Sequence, residues 1–282
     1  MNALRDVMPV IEEYLQGAGG LRILVRSWLP DRPPVASVAI VPGFNSHGGY
    51  YFWAAAQLVA SGFAVHAVDL RGRGKSDGER FYLERFDDYL GDVRLLLQRA
   101  KHHAPDRPVF LLGHSAGGVI ASSYTVEHQD ELAGLVCESF AFQVPGPAFA
   151  LTVLKGLSHL APRLRVLKLP NAEFSRDPGV VDAMDNDPLI AGENQPAHTV
   201  AEMVRANERL RRNFPRIRIP VMILHGKNDK VTMPPGSQFF FDTVGSSDKT
   251  LKLYDGHVHD LLADLGKQQV LGDIRSWLLA RV

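Results

Sequence analysis

Ser115 stands at the centre of Gly113-His114-Ser115-Ala116-Gly117, a Gly-x-Ser-x-Gly string. A serine hydroxyl is a weak nucleophile until a base removes its proton as it attacks. The flanks give the string its meaning. The apolar run Val109–Leu112 ends directly before it, and a helical segment from Gly117 to Glu127 follows. A strand that turns sharply into a helix lifts a serine hydroxyl clear of a sheet, and small residues let the two backbones approach. The alternative is a passive serine in a Gly-rich turn. Partners for the hydroxyl decide between the two. An elbow of this kind takes them from further along the chain, acid first and histidine second.

Val221–Leu224 runs into His225-Gly226-Lys227-Asn228-Asp229, which puts Asp229 in a loop at a strand's carboxyl end. Asp229 is the expected acid, and Glu138, just past the preceding core strand, is the second candidate. For the base, Thr250–Tyr254 leads into Asp255-Gly256-His257-Val258-His259-Asp260, and position alone leaves His257 and His259 both open. Attack on an ester carbonyl creates an oxyanion that needs backbone N–H donors already aimed at it. Ala116, directly after the serine, is one expected donor. Phe44 is the other, because Gly43 lets the chain turn after the strand Val38–Val41. Ser46, His47 and Tyr50 of the same loop fall on the side where a leaving alcohol would sit.

Two further leads fail on their residues. Gly72-Arg73-Gly74-Lys75-Ser76 has Asp69 where a P-loop needs its first glycine, and Asp77 where a dinucleotide fingerprint needs its third. It reads as a tight turn after a strand. The 11 histidines include no His-Glu-x-x-His helix, so no metal and no other cofactor is expected.

These side chains need a scaffold to hold them. Val38–Val41, Ala64–Asp69, Val109–Gly113, Leu132–Cys137, Val221–Leu224 and Thr250–Tyr254 are short apolar runs bounded by turn residues, the pattern of buried strands. Phe86 to His103 carries Phe86, Tyr89, Leu90, Val93, Leu96, Leu97 and Ala100 on one helical face, and Pro105 follows its end. Alternation of this kind predicts an α/β fold, a mostly parallel sheet with helices on both faces. Tyr14–Gln16 and Leu21–Trp28 flank Gly17-Ala18-Gly19-Gly20, which predicts an antiparallel N-terminal hairpin. The alternation breaks between about Val144 and Arg218. Seven prolines from Pro145 to Pro196 cut that stretch, no strand-like run is visible, and helices are expected over Ala148–Leu160 and His198–Asn213. The expected organisation is a core of residues 1–143 and 217–282 with an inserted helical lid over 144–216. A lid there would cover strand ends, where open α/β sheets hold their sites.

The sequence resembles the α/β-hydrolase superfamily, specifically its monoacylglycerol lipase/lysophospholipase-like group. The resemblance rests on Val68-Asp69 through Gly78-Glu79-Arg80, the elbow Leu111 to Gly118, Asn186-Asp187-Pro188-Leu189-Ile190, His225-Gly226 to Asp229, and Tyr254-Asp255-Gly256 to Leu262. In that family the final His of Tyr-x-Gly-x-x-His is the base. The resemblance therefore implies His259 as base, Asp229 as acid and Ser115 as nucleophile. The family's oxyanion loop usually reads His-Gly-x-Gly-Glu-His-x-x-Arg-Tyr. Here it reads Pro42-Gly43-Phe44-Asn45-Ser46-His47-Gly48-Gly49-Tyr50-Tyr51, so the Glu and Arg that grip a glycerol head are Ser46 and Tyr50.

Composition sets the outer bounds. The chain has 282 residues, 45% of them apolar, and 31 basic residues balance 31 acidic ones. No global field steers it to nucleic acid. One cysteine, Cys137, excludes an intrachain disulfide. The first eleven residues lack a long apolar run, so no secretory leader is expected, and the expected location is cytoplasmic. Lys155, Arg163, Arg165 and Lys168 are interleaved with leucines and valines, a pattern suited either to capping a gorge or to lying on a lipid surface. The expected activity is a serine ester hydrolase acting on small-molecule esters with medium to long acyl chains. The alternatives are a carboxylesterase for small or aromatic-alcohol esters, an amide hydrolase, and a low-turnover receptor on the same fold.

Overall fold

In the computed structural model, residues 8–145 and 155–282 are described. Eight strands form one sheet: β1 (Ile11–Gln16), β2 (Arg22–Trp28), β3 (Ala36–Val41), β4 (Phe63–Val68), β5 (Val109–His114), β6 (Gly134–Glu138), β9 (Val221–Gly226) and β10 (Lys249–Tyr254). Their spatial order is β1-β2-β4-β3-β5-β6-β9-β10. β1 pairs antiparallel with β2, and β2 antiparallel with β4. Every later pairing is parallel. The expected N-terminal hairpin is present, with a short 3-10 turn at Ala18–Gly20.

Alternate side chains of each central strand point to opposite faces. Ala39, Val41, Leu111, Leu135 and Ile223 pack on one face, under α2 (Phe86–His103) and α3 (Ala116–His128). Val38, Ile40, Phe110, Leu112, Val136 and Leu224 pack on the other, under α1 (Phe52–Ala60) and α7 (Lys267–Leu279). Strands buried on both faces must read as continuous apolar runs. Helix α2 has the predicted bounds, with Asp87 and Asp88 in its first turn and Lys101, His102 and His103 in its last, each charge complementing the helix dipole.

Because β3, β5, β6, β9 and β10 are parallel, their carboxyl ends lie along one edge of the sheet. The loops beginning at Pro42, Ser115, Ser139, Lys227 and Asp255 therefore converge. Between β6 and β9 the chain leaves the sheet. There it forms helical residues 155–160, α4 (Pro178–Asp185), α5 (Ala197–Asn213) and a 3-10 turn at Phe214–Arg216; α6 (Pro234–Thr243) follows β9. Residues 148–154 of the helix expected over Ala148–Leu160 lie outside the described residues. One expectation is corrected: this stretch does contain strands. β7 (Arg165–Leu167) pairs antiparallel with β8 (Gln195–Pro196). Three and two residues, one of them proline, are too short to show alternation.

Candidate active site

The turn after β5 gives Ser115 φ 54° and ψ −119°. A side chain in that region is strained and is held there by its surroundings. The Ser115 N–H donates to the Glu138 carbonyl at 2.9 Å, and its own carbonyl accepts from Gly118 at 3.0 Å and Ala141 at 3.2 Å. Close approach explains the small residues: a Cβ on Gly117 would overlap the Val41 carbonyl oxygen.

Around this elbow the structure brings three predicted side chains together. His259 Nε2 lies 2.9 Å from Ser115 Oγ. His259 Nδ1 lies 2.8 Å from Asp229 Oδ2. Asp229 is further held by N–H donors from Val231 at 2.8 Å and Thr232 at 2.9 Å, by the Thr232 hydroxyl at 2.8 Å, and by His225 Nε2 at 3.1 Å. Burial alone would raise its carboxyl, but the His259 charge and the bonds from His225, His259 and Thr232 outweigh burial and hold it well below the usual carboxylate range. A carboxylate so held stays ionised and fixes the imidazole with Nδ1 as the protonated nitrogen. His225 in turn meets Ser237 Oγ at 2.7 Å.

The two other candidates lie elsewhere. His257 places Nδ1 3.1 Å from the Asp255 carbonyl and does not reach Ser115. Glu138 accepts the Leu262 N–H at 3.1 Å instead of meeting His259. The only cysteine, Cys137, is buried, and burial pushes its thiol up to about 12, so it is no rival nucleophile. After His259, turns occupy 261–266 and α7 begins at Lys267.

The loop after β3 lies against the elbow. A Cβ on Gly43 would come within 2.8 Å of Ser115 Cβ and 3.4 Å of its Oγ. Among the described residues, neither the Phe44 nor the Ala116 N–H has a backbone acceptor. Both are buried beside Ser115. The Phe44 ring carries the Arg73 guanidinium at 4.2 Å, and Arg73 is itself bonded to Glu193 and to Gln195 Oε1 at 2.7 Å. The residue chosen from sequence as an oxyanion donor is thus braced by a cation tied to the segment between β6 and β9.

His47 and Tyr50 are tied to the segment between β6 and β9. His47 Nε2 lies 2.9 Å from Asp187 Oδ2, the Tyr50 hydroxyl donates to the same oxygen at 2.7 Å, and the two rings stack at 4.5 Å. Ser46 is buried, and its hydroxyl has no partner among the described residues. Sequence reasoning missed Asp187, Thr232, His225 and Arg73 as members of this neighbourhood. Asp187 and His225 sat within quoted motifs, but nothing in their spacing told what they touch.

The fold and sequence have relatives of known type. The family described as serine aminopeptidase, S33, matches residues 32–266. The monoacylglycerol lipase of Mycolicibacterium smegmatis is 31% identical over 273 residues, covering 96% of this chain and 98% of that one. The human monoglyceride lipase is 30% identical, covering 95% and 90%. The crystal structure of the Paleococcus ferrophilus monoacylglycerol lipase aligns with a TM-score of 0.83 at 26% identity, covering 92% of this chain and 99% of that one. The chain belongs to the α/β-hydrolase superfamily, and within it to the monoacylglycerol lipase-like group of ester hydrolases.

Proposed function

We propose that the protein cleaves monoacylglycerol- or lysophospholipid-like esters with medium to long acyl chains, through an acyl-enzyme on Ser115. The observation that carries this is the unbroken contact chain Ser115 Oγ–His259–Asp229 at 2.9 and 2.8 Å. Ser115 Oγ attacks the acyl carbonyl while His259 Nε2 takes its proton. Asp229, bonded to Nδ1, stabilises the imidazolium. The Phe44 and Ala116 N–H groups receive the oxyanion. His259 then gives the proton to the leaving alcohol, and water attacks the acyl carbonyl with His259 again as base, releasing the acid and restoring Ser115.

Residues 144–216 act as the lid of this site. Phe174 from that segment stands edge-on to the His259 ring at 4.9 Å, and Phe174, Met184, Ile190 and Val231 form an apolar cluster beside Tyr50. An apolar cover suits an acyl chain. On the outer side Leu160, Leu164 and Val166 are exposed, the first by 87%. A lipid surface is their natural counterpart. Arg163 and Lys155 are paired with Glu79 and Glu208, so contact with lipid rests more on apolar area than on charge. No helix among the described residues is long and apolar enough to cross a membrane.

One observation favours a carboxylesterase for smaller or aromatic alcohols. His47 and Tyr50, which flank the alcohol side in sequence, are both engaged by Asp187, and Ser46 and Tyr50 replace the family's glycerol-gripping Glu and Arg. An acyl series from acetyl to palmitoyl, offered as p-nitrophenyl esters and as 1-monoacylglycerols with Ser115→Ala as blank, separates the readings. Turnover of the long monoacylglycerols is the expected result. Turnover restricted to p-nitrophenyl or short esters moves the assignment to carboxylesterase.

A further inference from the structure

Behind His259 lies a second group of ionisable side chains that the reaction above does not use. One ligating atom each of His114, Glu138 and Asp260 lies within 4.8 Å of the other two, and all three side chains are buried. His114 comes from β5, directly before the nucleophile. Glu138 ends β6, and Asp260 follows His259. Glu138 Oε2, both ring nitrogens of His114, the Tyr51 hydroxyl and the Ser46 hydroxyl are buried without a partner among the described residues. Neither Glu138 nor Asp260 has an ion-pair partner there.

Two carboxylates this close and this buried cannot both be ionised without a cation between them. The other groups facing them do not supply one. Burial holds His114 well below the ordinary imidazole range, so it is neutral. Asp229 and Asp264 add negative charge from neighbouring loops, with Asp264 already paired to Arg176 at 2.9 Å. His225 is committed to Asp229. Tyr51 is an un-ionised phenol, held there by burial and by the two acids. Burial, then the Asp260 charge, pushes Glu138 upward, and burial, helped by the Asp264 charge, pushes Asp260 upward. Yet one charge is well supported. The Leu262 N–H donates to Glu138 and the Ala263 N–H to Asp260 at 3.1 Å each, and His259 attracts Asp260.

We propose that Glu138 and Asp260 share a single proton and form one buried monoanion behind His259, stabilising the imidazolium produced when Ser115 attacks. Both are positioning residues, since neither touches Ser115 Oγ or the acyl group. This role rests on His259 being the base of the ester hydrolase proposed above. The proton stays within the pair throughout the cycle, so no step of the reaction gains or loses one there.

Two measurements test it. Infrared spectroscopy of the unmodified protein at pH 7, without substrate, is expected to show the carbonyl band of a protonated carboxylic acid, lost in Glu138→Gln and in Asp260→Asn, because each single substitution leaves the remaining carboxylate to carry the charge alone. The pH profile of kcat/KM is then expected to keep its acidic limb within about 0.3 units in either single variant. In Glu138→Gln/Asp260→Asn, which removes the charge, the limb moves about one unit to lower pH. Absence of the band, a band unchanged in both single variants, or a limb unmoved in the double variant overturns the proposal. So does a stoichiometric divalent metal found by elemental analysis, since a cation there displaces the proton. The band is read without turnover, so it stands when a variant folds poorly. Its absence overturns the pair whatever the protein hydrolyses, whereas Ser115→Ala tests the hydrolase reading alone.

Discussion

At the residue scale, the proposed reaction depends on how Asp229 is held. Its carboxylate accepts two N–H groups, a hydroxyl and the imidazole. Replacing it by asparagine keeps the shape but lets the amide favour the wrong histidine tautomer, and kcat is expected to fall by about 10⁴-fold. His257→Ala is expected to keep turnover within a few-fold, because among the described residues that ring bonds only to the Asp255 carbonyl. Steady-state assays on the two variants check both, and a His257→Ala loss matching that of His259→Ala would reverse the choice of base. Ser115, Asp229 and the 257–259 pair were legible because each follows an apolar strand run, and strand ends are where a sheet presents side chains. Thr232 and His225 were not legible as supports of Asp229. A hydrogen bond three residues away depends on how a loop curls, and apolar periodicity carries no information about that.

At the scale of elements, the segment between β6 and β9 is fastened to the site's own loops. Asp187 accepts from Tyr50 and meets His47, the Asn45 amide donates to Leu169 and Asn171, and Arg176 pairs with Asp264. Burial would raise the Asp187 carboxyl, but His47, Tyr50 and the Leu189 N–H overcome it and hold it well below the usual range. The folded form therefore gains stability from Asp187 above the unfolded carboxylate value of about 3.9, and loses it as pH falls below that value. Asp187→Ala is expected to lower Tm by about 2–4 °C and to speed amide exchange over residues 169–190. Exchange unchanged in that stretch would show that the anchor holds nothing. Of the helices here, α5 matches the helix expected over His198–Asn213, whereas α4 had not been expected. The β7–β8 pair and the Asp187 anchor were not legible either, since two- and three-residue strands and contacts across 137 residues leave no local signature.

At the scale of the whole molecule, the sheet is buried on both faces and carries polar groups inside it. His66 on β4 is fully buried, meets Ser27 at 2.8 Å and stacks on His103. Burial first, then the neighbouring positive groups, drives its imidazole down to about 3. The unfolded chain binds that proton near pH 6.5, so between about 6.5 and about 3 unfolding takes up a proton and stability falls with falling pH. At pH 5 the cost from His66 is about 2 kcal/mol. Urea unfolding at pH 7 and pH 5 is expected to show this loss in the wild type and a smaller one in His66→Gln. Equal losses would place the acid sensitivity in other groups. The mostly parallel sheet and the antiparallel start were readable from alternation and from the glycine turn; the spatial order of the strands was not. The meeting of Glu138 with Asp260 was not, because only the closed sheet brings β6 and the last loop together.

At every scale the proposed reaction rests on Ser115 as the nucleophile of an ester hydrolase. The most direct measurement is peptide mapping by mass spectrometry after reaction with an active-site-directed fluorophosphonate, alongside residual ester hydrolysis. A single adduct is expected, on Ser115, formed in step with the loss of activity, and no adduct in Ser115→Ala or His259→Ala. Ester hydrolysis that persists in Ser115→Ala, or an inactivating adduct on another residue, would contradict it.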